Sequence, residues 1–529
     1  MNAQTIVQTD SSKDFLLSTT GGGIALFDYD NDSWLDIFVV NGWGLNGFPS
    51  GAEPSNHLYR NNRNGTFTDV TRMAGVLRHG WGQGVCVGDY DNDGFLDLFV
   101  TYYGQNVLYH NNGNGTFTDV TREARLLTEE GHWNTGAAFL DYDRDGHLDL
   151  FICHYVDYRY GTMLYEGNPS LAGNQSPVLY GVKGLQGTRN SLYRNNSDGS
   201  FTEVSAVSGI LKPDLAYGFT PLVADFDDDG WPDVYVADDS TPSRLFMNNH
   251  NGTFSEAGLL AGVALDSNGN TQAGMGVDAV DYDGDGRLDI LKTNFSDEAP
   301  TLYHNDGRAF FTDVTVQAGL AGATKSVKWG AAFLDIDNDG RPDILIASGP
   351  IYPPGPGGRH PMTQDGGQRL VFRNAGHGRF KDISSQSGPG ISQARCSRGL
   401  AVGDIFHSGQ LDVVINNING RPSLLKNAAP SPHRWLLIRL VGARTNAAAI
   451  GSRVLVDAGG IRQVQEVRSG GSFCSQSDLR LHFGLGAAEQ ADQVEVRWLS
   501  GLRETFDRMP ANRLITIREG KGVVSQESY

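Results

Sequence analysis

Six times along the chain a nine-residue stretch places aspartates at positions 1, 3, 5 and 9, usually around a glycine at position 6. In residues 89–97 (DYDNDGFLD) the side-chain oxygens come from Asp89, Asp91, Asp93 and Asp97, and position 7, Phe95, offers its backbone carbonyl. Oxygen-only ligands at alternate positions of a tight turn suit a hard dication. Calcium is expected before magnesium, because it accepts about six to eight oxygens in a flexible shell. The other five sets are Asp28, Asp30, Asp32, Trp34 and Asp36; Asp141, Asp143, Asp145, His147 and Asp149; Asp225, Asp227, Asp229, Trp231 and Asp233; Asp281, Asp283, Asp285, Arg287 and Asp289; and Asp335, Asp337, Asp339, Arg341 and Asp343. An EF-hand is excluded, since its bidentate Glu at position 12 is replaced here by Val39, Val100, Ile152, Val236, Lys292 and Ile346. Ser33 takes the place of the glycine in the first loop. In a seventh copy, residues 404–412 (DIFHSGQLD), Phe406 and Ser408 replace two carboxylates, so no ion is expected there.

Four carboxylates in one turn repel one another unless a dication neutralises them, so metal binding is expected to be coupled to folding and to be structural. The formal charge of −19 follows from the same loops, which hold 24 of the 61 acidic residues. Six bound dications would leave about −7, an ordinary surface charge. Nucleic acid is not an expected partner for so acidic a chain. Zincin, serine-hydrolase and phosphate-loop motifs are absent from the sequence. Ser469, Ser472 and Ser475 in SGGSFCSQ read as a glycine-rich turn between strands rather than as nucleophiles.

The elements that must position these loops are strands. Alternating small and apolar residues precede each loop, as in WNTGAAFL (133–140), and β-formers follow it, as in LDLFVTY (96–102). A second pair follows, joined by an Asn-Gly or Asp-Gly turn, as in NVLYHNNGNGTFTDVT (106–121), a strong hairpin signal. With loops starting at 28, 89, 141, 225, 281, 335 and 404, the spacing suits four-stranded propeller blades. The pattern predicts an all-β chain, with a seven-bladed propeller over residues 1–429 and a β-sandwich or small barrel over 430–529. The seventh unit runs out after its third strand, and residues 5–9 (TIVQT) are expected to supply the fourth. No apolar run is long enough to span a membrane. Cys86, Cys153, Cys396 and Cys474 are too scattered for a disulfide framework and are expected to be free thiols. The sequons at Asn64, Asn114 and Asn251 read as hairpin tips.

These repeats resemble the FG-GAP/VCBS type found in integrin α propellers. The last hundred residues resemble the ASPIC/UnbV domain of the cartilage acidic protein family. The likeness rests on Asn446, AIGSR (449–453), SGGS (469–472), Ser475, Gln476, HFGLG (482–486), VRW (496–498), Ser500, Gly501 and Asn512. It implies a calcium-stabilised propeller in a mostly extracytoplasmic family. A secreted or periplasmic location with the signal removed is expected over a cytoplasmic one, although residues 154–189 lack the cysteine pair that family members often carry there.

Strand parity puts the acidic loops and hairpin tips on one face. The longest loops, 41–56, 154–189 and 349–368, lie on the other. That second face also receives His79, Trp81, His132, Trp133, Tyr155, Tyr158, Arg159, Tyr217, Lys328, Trp329, Arg395 and Arg398, around the channel mouth. Two functions are compatible with this arrangement. In the first, the long-loop face binds a protein or glycan without chemistry. In the alternative, the channel mouth holds a small organic molecule and the protein is a natural-product enzyme of cyclase or alkylating type. Calcium propellers resembling this one include such catalysts, and His79, Trp81, His132, Trp133, Tyr155, Tyr158, Arg159, Trp329, Arg395 and Arg398 would stabilise a cationic intermediate. The tryptophans equally read as packing at the start of the innermost strands.

Overall fold

A computed structural model describes residues 17–43, 53–128, 131–158, 182, 185–211, 215–351, 367–429 and 431–528. Among these residues the chain is built from strands with only single-turn helices, and no helix is long and apolar enough to cross a membrane.

Seven antiparallel sheets come first, numbered here 1 to 7 in chain order. Six have four strands paired in sequence order and sheet 7 has three, ending at Ser423–Leu425. The expected fourth strand at residues 5–9 lies outside the described residues. The innermost strands, Ile24–Phe27, Gly82–Gly88, Asn134–Leu140, Gly218–Ala224, Val277–Val280, Lys328–Leu334 and Ser397–Gly403, each contact the next, and the last contacts the first. The sheets therefore circle an axis instead of stacking in a row. Small residues on these strands and at their starts permit the close approach: a Cβ on Gly136 would stand 2.7 Å from the Phe219 carbonyl oxygen, and one on Gly276, just before its strand, 2.2 Å from that of Trp329. Between sheets the packing is apolar, as where Phe151, Cys153 and Leu192 of sheet 3 meet Val234, Val236 and Phe246 of sheet 4.

A second set of bonds fastens the sheets at the acidic-loop face. At or within two residues of the end of the third strand of each sheet stands an asparagine whose Nδ2 donates to a backbone carbonyl in the acidic loop of the preceding sheet. Asn111 donates to Tyr29, Asn195 to Tyr90, Asn248 to Tyr142, Asn305 to Phe226, Asn374 to Tyr282 and Asn427 to Ile336. Asn61 of sheet 1 donates to Ile405 of sheet 7 at 3.1 Å, which closes the circuit.

Beyond residue 433 two further four-stranded sheets form a sandwich. One orders Leu481–Gly486, Arg434–Val441, Arg513–Arg518 and Gly522–Glu527, with one parallel pair; the other orders Ile461–Glu466, Arg453–Ala458, Gln490–Arg497 and Arg503–Pro510. The sandwich core is continuous with that of sheets 2 and 3, so Leu436, Val456 and Phe483 share a cluster with Phe99, Phe139 and Tyr193.

Asn111→Ala removes donors to both Tyr29 and the Leu96 carbonyl and leaves buried oxygens short of a partner. It is expected to lower stability by about 2 kcal/mol. Asn112→Ala, at the exposed hairpin, should change it by less than about 0.5 kcal/mol. Urea denaturation of the two variants checks the contrast, and equal losses would refute a fastening role for Asn111.

Candidate functional site

Each acidic loop joins the first strand of its sheet to the second, and its position-9 aspartate opens that second strand, as Asp97 opens Asp97–Tyr102. One frame recurs. In loop 2 the Asp89 carboxylate accepts the N–H groups of Asp93 at 3.0 Å and Gly94 at 2.9 Å. Asp97 accepts those of Tyr90 at 3.1 Å and Asn111 at 2.8 Å, while Asp93 accepts that of Phe95. Positions 4 and 6 are held at positive φ, here Asn92 at 60° and Gly94 at 92°. Ser33 adopts the same conformation at 72° without a glycine.

Four of the six position-3 carboxylates escape this frame, while Asp227 accepts the Asp229 N–H. Asp30, Asp91, Asp143 and Asp337 each keep a buried Oδ1 with no hydrogen-bond partner. Such orphaned oxygens, facing other carboxylates, are what a cation would satisfy. Asp28, Asp30 and Asp32 bring one oxygen each within 4.8 Å of one another, as do Asp89, Asp91 and Asp93, and Asp141, Asp143 and Asp149. The acidic clusters of the loops can therefore hold metal. Burial pushes the Asp89, Asp97, Asp141, Asp281 and Asp343 carboxyls up to about 7, and Asp28, Asp227 and Asp289 up to about 6, when no cation offsets the lost hydration. The seventh loop keeps the frame, with Asp404 accepting from Ser408 and Gly409, but the Lys426 ammonium stands 4.8 Å from the Phe406 ring in place of further carboxylates.

The sandwich sits on this acidic-loop face. Arg453 reaches Asp228 at 2.8 Å, the Ala447 N–H donates to Asn92, and Arg480 donates to the Ser33 carbonyl. From it residues 469–476 run down the channel and touch every sheet. Gln476 exchanges backbone bonds with Ile24 and Leu26 of sheet 1, and the Cys474 carbonyl accepts from Val85 of sheet 2. Gly470 lies against the Ala137 carbonyl of sheet 3, and the Cys474 N–H donates to Thr220 of sheet 4. The Ser472 carbonyl accepts from Val277 of sheet 5, while Ser472 Oγ and Ser475 Oγ lie against Gly330 and Gly399 of sheets 6 and 7. Ser469, Phe473, Cys474 and Ser475 are at most 4% exposed. The glycine-rich turn between strands thus fills the channel as a plug.

The sequence matches the FG-GAP-like repeat family over residues 28–100, 89–152, 178–236 and 225–291, and the ASPIC and UnbV family over 442–524. The chain carries FG-GAP-like repeats followed by an ASPIC and UnbV domain. Cartilage acidic protein 1 of Mus musculus is 29% identical over 375 residues, covering 69% of this chain and 51% of that protein. The Xenopus tropicalis protein of the same name is 23% identical over 278 residues, covering 51% of this chain and 40% of the relative. The chain spans about half the length of these relatives, or less. Among solved structures, an Agrocybe aegerita lectin that recognises non-reducing terminal N-acetylglucosamine aligns at TM-score 0.38 and 18% identity, covering 75% of this chain and 86% of the lectin.

At the far end of the FG-GAP channel, the tip of the ASPIC and UnbV plug meets the aromatic residues singled out above. Phe473 packs at 5.0 Å on Trp329 and 5.5 Å on Phe219, inside a cluster with Trp81, Trp133, Tyr155, Tyr158 and Tyr217. Arg398 is buried over the Trp329 ring at 3.9 Å, and its guanidinium donates to the Thr19, Pro350 and Ser397 carbonyls. Lys328 donates to the Phe295 and Ser326 carbonyls. The Tyr155 hydroxyl donates to Asp239. His79, whose ring bonds the Pro54 carbonyl, His132 and Arg395 are exposed, and Arg159 lies outside the described residues. A cavity of about 130 Å³ lies instead beside the plug stem, lined by Asp278, Glu466, Arg468, Ser472 and His482. The four cysteines are free, and burial pushes the Cys474 thiol up to about 12.

Three features escaped the sequence reading. The fastening asparagines recur in LYRN, LYHN, LFMN and VFRN and were visible there, but the hairpin explanation absorbed them. The plug's destination had no local signal. His110 and His304, one residue before two of those asparagines, converge with Asp91 and Asp97 and with Asp283 and Asp289.

Phe473→Ala should cost about 3–5 kcal/mol, as for a large aromatic removed from a core, and should appear in thermal unfolding of the whole chain. A carboxyl raised by burial in the folded state binds protons more tightly folded than unfolded. In chelator, stability should therefore fall as pH rises from about 4 towards 7. A melting temperature in chelator that rose across that window would contradict this.

Proposed function

We propose that this chain is a calcium-stabilised binding protein that engages a protein or glycan through its long-loop face and performs no chemistry there. The observation that carries this is the plug. The space where a propeller could enclose a substrate is filled by the chain itself, and six of the candidate catalytic side chains, Trp81, Trp133, Tyr155, Tyr158, Trp329 and Arg398, are committed to packing around it. The alternative, a cyclase or alkylating enzyme, would need those groups around an open pocket. His79, His132 and Arg395 remain exposed on the long-loop face and are the contacts this function would use. The same proposal places calcium in the six acidic loops, supported by the orphaned carboxylate oxygens, and puts the protein outside the cytoplasm, where modules of weak calcium affinity remain loaded.

Calcium added after chelation should raise stability by about 3 kcal/mol per site at hundredfold saturation. Calcium-loaded protein screened on protein and glycan arrays should show binding that weakens by about 1 kcal/mol or more on His132→Ala or Arg395→Ala. Turnover of a small molecule by the same preparation, with no array binding, would overturn the proposal.

A further inference from the structure

We infer that the second and fifth acidic loops form a class of metal site apart from the other four, taking a borderline dication such as zinc through an imidazole nitrogen. This rests on the proposal that the loops hold metal and departs from it in two of the six, where zinc takes the place of calcium. The distinction lies in the residue preceding the fastening asparagine. Sheets 1, 3 and 6 have Arg60, Arg194 and Arg373 there, and sheet 4 has Met247. Arg194 donates to Asp143 at 2.9 Å and Arg373 to Asp337. A guanidinium offers charge but no lone pair, so these loops keep an all-oxygen donor set. Sheets 2 and 5 instead have His110 and His304.

His110 Nδ1 stands 3.1 Å from Asp91 Oδ2 and 3.5 Å from Asp97 Oδ1. His304 Nδ1 stands 3.2 Å from Asp289 Oδ1 and 3.6 Å from Asp283 Oδ2. Tetrahedral nitrogen and oxygen ligands held about 2.0–2.2 Å from zinc lie about 3.3–3.6 Å from one another, and the separations here run from 3.1 to 3.6 Å. Both imidazoles turn Nδ1 towards the carboxylates of their own loop, and Asp91 Oδ1 is buried without a hydrogen-bond partner. Asp97 and Asp289 have no exposed side-chain surface and are fixed by backbone N–H groups, so the donors cannot easily swing apart. A mixed imidazole and carboxylate set favours zinc and its neighbours, whereas carboxylate alone suits calcium.

The test is metal analysis of the full chain, stripped with chelator and returned to excess calcium with zinc at low concentration. Wild type should retain about two equivalents of zinc after gel filtration, and His110→Gln or His304→Gln about one. The double variant should retain none, with its calcium content undiminished. His110→Arg and His304→Arg, which reproduce the arrangement of sheets 1, 3 and 6, guard against a folding defect. Cobalt in place of zinc should show nitrogen coordination by X-ray absorption, lost in the double variant. Zinc content unchanged by the double substitution, or calcium filling all six loops of wild type with zinc excluded, would overturn the inference and leave the histidines as ion-pair partners of the aspartates. Retention of neither metal would overturn the metal-holding proposal itself.

Discussion

The structure depends on one junction repeated around a circle, the asparagine that ties each acidic turn to the one before it. A propeller is a closed ring of sheets that touch mainly through apolar faces, and apolar contact alone does not fix register between neighbours. The asparagine supplies that register, because its side chain bridges carbonyls of two successive turns while its own N–H holds the position-9 carboxylate of one of them, as with Asn195, Tyr90, Leu148 and Asp149. The junction is only as firm as the turns it joins. A turn that gathers four partly buried carboxylates needs positive charge to hold its shape, so ionic balance in the loops and closure of the ring are one problem. Sheet 7 supports this from the opposite direction. Its turn has shed two carboxylates, retains the same backbone frame, and retains Asn427 in the same role.

The second constraint is axial. Residues 469–476 give the ring a centre made of its own chain, with backbone and hydroxyl bonds where many propellers have only a channel. Glycines on and just before the innermost strands are what admit it: a Cβ on Gly23 would lie 1.8 Å from the Cys474 carbonyl oxygen. The backbone groups of the plug that face the ring find partners in the surrounding strands, as Cys474 N–H does in Thr220 and the Ser472 carbonyl in Val277, while Ser472 Oγ is buried without one. Under the proposed binding function, the work is thereby pushed outward. With the axis filled and the acidic-loop face carrying the sandwich, the long-loop face is where a partner can approach the ring end-on.

Local pattern was enough to read the repeats, the position of each acidic turn between its first two strands, and the all-β nature of the last hundred residues, because each depends on residues a few places apart. What lay beyond it were contacts across hundreds of residues. Nothing near Ser472 announces that it meets Val277 and Gly330, and Trp329 looks alike whether it lines a pocket or packs on Phe473. The same local chemistry, an aromatic beside an apolar strand, serves both roles, and only the partner decides. The histidines were hidden for a different reason. His110 and Arg60 occupy equivalent places in the hairpin pattern, and the pattern is blind to which of them can ligate.

The acidic turns are also joined to one another through position 4, and the joints reveal how the two parts of the chain depend on each other. Asn31 donates to the Gly94 carbonyl, Asn92 to that of Gly146, Asn338 to that of Gly409, and His407 to that of Ser33, while Arg144 lies over Trp231. Each of these bonds runs from one turn to the next. The series breaks at sheets 4 and 5, where position 4 is Asp228 and Gly284. At the first break the sandwich supplies the partner, since both Arg453 and Arg497 reach Asp228. At the second, Gly284 faces the Arg462 carbonyl, close enough that an added Cβ would sit 3.6 Å from it. The ring therefore completes its rim with residues of the second domain, and that domain in turn has its plug held by all seven sheets. Neither part presents its final surface without the other, so any partner that recognises the rim recognises the assembled pair.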